Sequence, residues 1–107
     1  MAEDIRARID GLVQSSKVMR FMKGTTQFPA CGFSNSVVQI LTKEGVPFQT
    51  FNILADPEVR QGLKEYSNWP TFPQLYVAGK FLGGCDIVTE MHQTGELATE
   101  LAAAGLK

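Results

Sequence analysis

Along the chain the apolar positions change period several times, and each change marks an element. In "DIRARIDGLVQ", Ile5, Ile9, Leu12 and Val13 recur at i, i+4, i+7 and i+8, one face of an amphipathic helix. "KVMRFMKG" has no such period: it is short, rich in β-branched, aromatic and thioether residues, and stops at Gly24, so it predicts a strand covered on both faces. Lys23 then stands at that strand's C-terminal end. From Ser34 to Lys43, Val37, Val38, Ile40 and Leu41 form a broad apolar face with Gly45 behind it as a stop, which predicts a crossover helix.

"VPFQTFNIL" predicts a second strand. "ADPEVRQGLKEYS" predicts a helix with Asp56 as N-cap, Pro57 at its first position, and Val59, Leu63 and Tyr66 on one face. Strand, helix, strand, helix implies parallel pairing through right-handed crossovers. The pattern then changes. "FPQLYVAGKFLGG" is two short apolar runs joined by Ala78, Gly79 and Lys80, an antiparallel hairpin. Asp86 is placed as the cap of a further helix carrying Ile87, Val88 and Met91 and ending near Gly95, and "ELATELAAAGLK" supplies the last helix. The expectation is one α/β domain over residues 1–107, ordered α-βαβα-ββα-α, with a four-stranded mixed sheet between helices.

Composition narrows the function classes. The 107 residues carry 20% charged side chains and a formal net charge of -1, which argues against a general nucleic-acid surface. No apolar run approaches the roughly 20 residues that span a bilayer, and "MAEDIRARID" has charges where a secretory segment needs apolar residues. No nucleic-acid or membrane partner is therefore expected, and a cytoplasmic setting is, although a mature chloroplast stromal protein would look identical. Two cysteines, Cys31 and Cys85, are too few for a disulfide framework, which favours a reducing compartment.

Chemistry is concentrated at "FPACGFSN", residues 28–35. In an open α/β sheet, ligands gather at the C-terminal ends of the parallel strands and the helix starts beside them. A thiol at a helix start, with an ammonium such as that of Lys23 nearby, is biased toward the reactive thiolate. Cys31 could instead be a small buried hydrophobe, as most free cysteines are; its loop position, the flanking Gly32 and the helix start favour chemistry. Ser34 stands where a Cys-x-x-Cys pair would have its second thiol, so Cys31 cannot close a local disulfide and needs a thiol from outside.

Lys23, "CGFS" at 31–34, "WPTFPQLYVAG" at 69–79 and "GGCD" at 83–86 together resemble the monothiol, CGFS-type glutaredoxins of bacterial and plastid kind. The match in order and spacing runs from about Val18 to about Leu101. It implies a thioredoxin-like (glutaredoxin) fold that binds glutathione. In this family two subunits and two glutathiones hold a [2Fe-2S] cluster, which is passed to apo iron-sulfur proteins or shared with a BolA-type protein.

The resemblance also assigns roles. Cys31 would be the catalytic thiol and the one cluster ligand per chain; with four thiolate-type ligands needed, a homodimer supplies two and two glutathione cysteines complete the set. Without cluster the chain would be a monomer. Lys23 and Arg60 would hold the glycine carboxylate of glutathione, although each also reads as an ordinary surface cation. Thr71, Phe72 and Pro73 correspond to the turn before a cis-proline, where the Phe72 backbone pairs with glutathione like an added strand. Gly83 and Gly84 would admit the ligand, the Cys85 and Asp86 amides would bind the γ-glutamyl carboxylate, and the Asp86 side chain would take its ammonium. Cys85 is also readable as an inert packed thiol or as a redox partner of Cys31. Trp69 either shields the site or is core, and His92 is placed on the exposed side of its helix, away from the site. The charges near the N-terminus read as a solvated helix face.

Two activities share this site: a cluster carrier using Cys31 plus glutathione, and a glutathione-dependent thiol transferase in which the Cys31 thiolate attacks a glutathionylated protein. The missing second cysteine and the long "GTTQFPA" loop favour the carrier, with at most weak oxidoreductase turnover.

Overall fold

The computed structural model describes residues 3–25 and 32–106, without the side chains of Phe33 and Ser34. Helix α1 (Glu3–Gln14) leads into β1 (Val18–Met22), α2 (Gly32–Glu44), β2 (Gln49–Asn52), a 3-10 turn (Ile53–Ala55) and α3 (Pro57–Ser67). The hairpin β3 (Gln74–Val77) and β4 (Lys80–Gly83) follows, then α4 (Cys85–Thr94) and α5 (Glu96–Ala103).

The sheet order is β2-β1-β3-β4, with β1 parallel to β2 and antiparallel to β3. This is the thioredoxin-like arrangement that the sequence resemblance implies. All five residues of β1 are buried, as a central strand covered on both faces must be. Its alternating side chains therefore feed two cores. Val18 joins Leu75 and Val77 against Val37 and Leu41 of α2, Val88 of α4, and Leu97 and Leu101 of α5. Met19 and Phe21 join Tyr76 against Ile9 and Val13 of α1 and Val59 and Leu63 of α3.

The two-residue turn Ala78-Gly79 has positive φ at both positions (51° and 80°), the handedness that matches strand twist in a tight hairpin. Between Leu75 and Tyr76 the register with β4 shifts: Tyr76 faces Phe81 while Leu75 faces Gly83, leaving Leu82 as an extra residue. That bulge turns the end of β4 toward α4.

The helix α3 starts as its sequence dictates. Asp56 is the N-cap, accepting from Val59 N at 3.2 Å, with Pro57 first in the helix. Four expectations need correction. The second strand stops at Asn52 because the Asn52 side chain accepts from Leu54 N and starts the 3-10 turn. The N-cap of α4 is Gly84, not Asp86: the helix begins at Cys85, and Asp86 lies in its first turn with no capping hydrogen bond. His92 is half-buried, its Nδ1 2.7 Å from Glu44 Oε2, so it ties α4 to α2. The N-terminal charges are not merely solvated, since Arg8 pairs with Asp56 and Tyr66 donates to Asp10 at 2.6 Å, fastening α1 to α3.

Candidate functional site

The end of β1, the loop before β3 and the start of α4 meet around an open cleft of about 360 Å³. Lys23, Trp69, Thr71, Phe72, Gly84, Cys85 and Asp86 line it. Five of the positions singled out in the sequence as ligand contacts outside the loop before α2 are thus joined by Lys23 in one place, from three segments spread over more than half the chain.

Each wall has a local cause. Lys23 follows the buried β1 directly, and the next residue, Gly24, donates its N–H to Asn52 Oδ1 at 2.9 Å. The same oxygen accepts from Leu54 N at 3.0 Å, so one carboxamide ties the chain leaving β1 to the chain leaving β2. Asn52 was not legible as a site-supporting residue, because an Asn at a strand end reads only as a turn former.

The second wall is residues 69–73. α3 ends in a left-handed cap at Asn68 (φ 54°), after which Trp69 is half-buried, its ring 6.0 Å from that of Phe81. Trp69 thus stands between its two sequence readings, lining the cleft while leaning on the strand behind it. The Phe72-Pro73 bond is cis, as the motif implied. Phe72 itself is buried in the core between the sheet and α1 and α3, yet borders the cleft.

Behind this wall lies Gln74, wholly buried. Its Nε2 donates to Trp69 O at 3.1 Å and to Thr71 O at 3.3 Å, and its Oε1 accepts from Tyr76 Oη at 3.1 Å. Burial pushes the Tyr76 phenol well above its ordinary range, so it remains a donor. Sequence reasoning passed over Gln74, since one polar residue at a strand start carries no signal of what it holds.

The third wall needs its glycines for packing. A Cβ on Gly84 would come within 3.0 Å of Trp69 Nε1 and 3.2 Å of Pro73 O. Gly83 has φ 148° and a Cβ there would meet Ile87 at 2.8 Å. These glycines let α4 begin flush against residues 69–73, which puts the first-turn amides of Cys85 and Asp86 at the cleft; such unpaired N–H groups favour an anion. Cys85 is half-buried and Asp86 exposed.

Arg60 is exposed on α3 and does not line the cleft. Cys31 lies outside the described residues, as does most of the loop before α2; its neighbour Gly32 is the first residue of α2. Among the described residues no group of three or more His, Cys, Asp or Glu converges. The cleft therefore offers an ammonium on one segment, a carboxylate and helix-start amides on another, and a backbone turn between them.

Residues 18–82 match the family model described as Glutaredoxin. The chain is 60% identical over 104 residues to an uncharacterized monothiol glutaredoxin ycf64-like of Synechocystis sp., covering 97% of each. It is 57% identical to the chloroplastic monothiol glutaredoxin-S14 of Arabidopsis thaliana over 97% of this chain, spanning 60% of that longer protein. The solution structure of reduced poplar apo GrxS14 superposes with a TM-score of 0.84 at 52% identity, covering 96% of this chain and 94% of that one. Together with the cleft and the "CGFS" motif in the sequence, these likenesses show that the chain belongs to the glutaredoxin family, as a monothiol member of the bacterial and plastid kind.

Proposed function

We propose that this chain binds glutathione in the cleft and, as a glutathione-bridged homodimer, carries a [2Fe-2S] cluster and delivers it to apo-proteins. One observation carries the reading: Lys23, Thr71, Phe72, Gly84, Cys85 and Asp86, distant in sequence, line a single cleft. Glutathione has two carboxylates, one ammonium and one thiol. In the proposed pose Lys23 pairs with the glycine carboxylate, the Cys85 and Asp86 amides with the γ-glutamyl carboxylate, and the Asp86 side chain with the ammonium. The turn at Thr71, Phe72 and Pro73 offers backbone to the middle of the tripeptide. Arg60, away from the lining, is given at most a long-range electrostatic part.

The cluster is cargo. Its four ligands in this reading are Cys31 of each chain and two glutathione thiolates, which explains why a chain with one motif cysteine suffices. Delivery proceeds as a recipient's thiolates replace these ligands one by one, with no change in the cluster's electron count. Among the relatives, the rice and Arabidopsis proteins are chloroplastic, which supports the stromal alternative for this chain rather than the cytoplasmic expectation.

Anaerobic reconstitution with iron, sulfide and glutathione tests the proposal. Visible charge-transfer absorption is expected, and it should vanish in Cys31→Ser or when glutathione is withheld. A colourless protein that rapidly deglutathionylates a substrate would overturn the carrier in favour of the thiol transferase.

A further inference from the structure

We propose that Gln74 is a positioning residue for ligand binding: its buried carboxamide turns the Thr71 carbonyl inward and so aims the Phe72 N–H out into the cleft. The inference rests on the glutathione reading above and adds to it the residue that sets the geometry of the central contact.

The hydrogen-bond roles around Gln74 are fixed by chemistry. Carbonyl oxygens only accept, so the group facing Trp69 O and Thr71 O must be the NH₂, and both of its hydrogens are used. The carboxamide oxygen faces the Tyr76 hydroxyl, which burial keeps protonated. A flipped carboxamide would set its oxygen against two carbonyls. The two carbonyls therefore select the one orientation of Gln74 that can hold the wall, and the Tyr76 hydroxyl completes it by donating to the oxygen left over.

The consequence runs through the peptide plane. The Thr71-Phe72 bond is not among the cis bonds, and in a planar trans peptide C=O and N–H point in opposite directions. With Thr71 C=O directed at a wholly buried side chain, Phe72 N–H faces the other way, toward the cleft that Phe72 borders. The Phe72 ring packs in the core, so it is the backbone at this residue that is left to the cleft. At Trp69 the same inward turn exposes no competing donor, because the next residue, Pro70, has no N–H. The clamp thus presents one backbone donor where an extended peptide ligand would pair.

Gln74→Met keeps the bulk and removes every hydrogen bond. Amide NMR spectra recorded while reduced glutathione is added should show the Phe72 and Asp86 amides of the wild type moving together. In Gln74→Met the affinity should fall about tenfold, and at saturation the Asp86 amide should still move while the Phe72 amide does not. Binding within twofold of wild type with the wild-type Phe72 response would overturn the inference. Should Gln74→Met fail to fold, Tyr76→Phe carries the test: it leaves the buried Gln74 Oε1 without its donor, loosens the carboxamide and should weaken both affinity and the Phe72 response, and no change in either overturns the proposal. Wild-type amides indifferent to glutathione would instead overturn the functional reading and this inference with it.

Discussion

At the scale of single residues, the cleft is shaped by side chains that are absent as much as by those present. Gly84 has an ordinary extended φ of -97°, so nothing in its backbone demands glycine. Its requirement is spatial: a methyl would press on the Trp69 indole and the Pro73 carbonyl, which belongs to backbone and cannot yield. Gly84→Ala should therefore cost about 1–3 kcal/mol of stability, read by urea denaturation, and weaken glutathione binding as residues 69–73 are pushed outward. The "GGCD" motif marked this glycine for ligand approach; the fold shows that it is first a packing requirement. Asn52, Gln74 and Tyr76 carry the opposite lesson. Each is a commonplace residue in sequence, and each acquires a role only through partners on other segments.

At the scale of elements, local chemistry was legible and long-range pairing was not. The start of α3 could be read directly because an N-cap and its partner lie three residues apart, and Asp56 does accept from Val59 N. That bond, followed by the Arg8 guanidinium, holds the Asp56 carboxyl below its ordinary value. A lowered folded-state pKa means stability that is present above the unfolded value and lost as acid titrates the group in the native state. Asp56→Ala should thus be less stable than wild type from neutral pH down to about pH 4, with the gap closing at lower pH. Denaturation midpoints at pH 7 and pH 3 measure this, and an equal gap at both would refute it. The cap of α4 lies two residues before Asp86 for a reason on the same scale: Asp86 looks like a cap, but the Gly83 conformation and the β4 bulge bring the chain into the helix earlier, at Gly84. His92 reads as exposed along the sequence because its partner, Glu44, lies on another helix.

At the scale of the whole molecule, the sheet order puts the ends of β1, the loop before β3 and the start of α4 on one pole, while the Ala78-Gly79 turn lies at the other end of β3. Half of the cluster ligands in the proposed carrier are contributed by glutathione, so assembly should be linked to ligand by mass action. Sedimentation of the reconstituted protein should show dimer in excess glutathione and monomer, with bleaching, when glutathione is removed under anaerobic conditions. A coloured monomer would count against shared ligation.

The sequence by itself determined the elements, because apolar period, caps and turn glycines act within a few residues. It also carried the family, because "CGFS", "WPTFPQ" and "GGCD" are contiguous motifs whose order is preserved along the chain. Only the tertiary structure decided which of the marked residues meet: Lys23, Thr71, Phe72, Gly84, Cys85 and Asp86 share the cleft, while Arg60 stays outside it. Nor could any pattern along the chain have found the clamp of Tyr76 on Gln74 and of Gln74 on Trp69 and Thr71. A buried polar side chain declares its partners only when the sheet and the loop above it have closed around it.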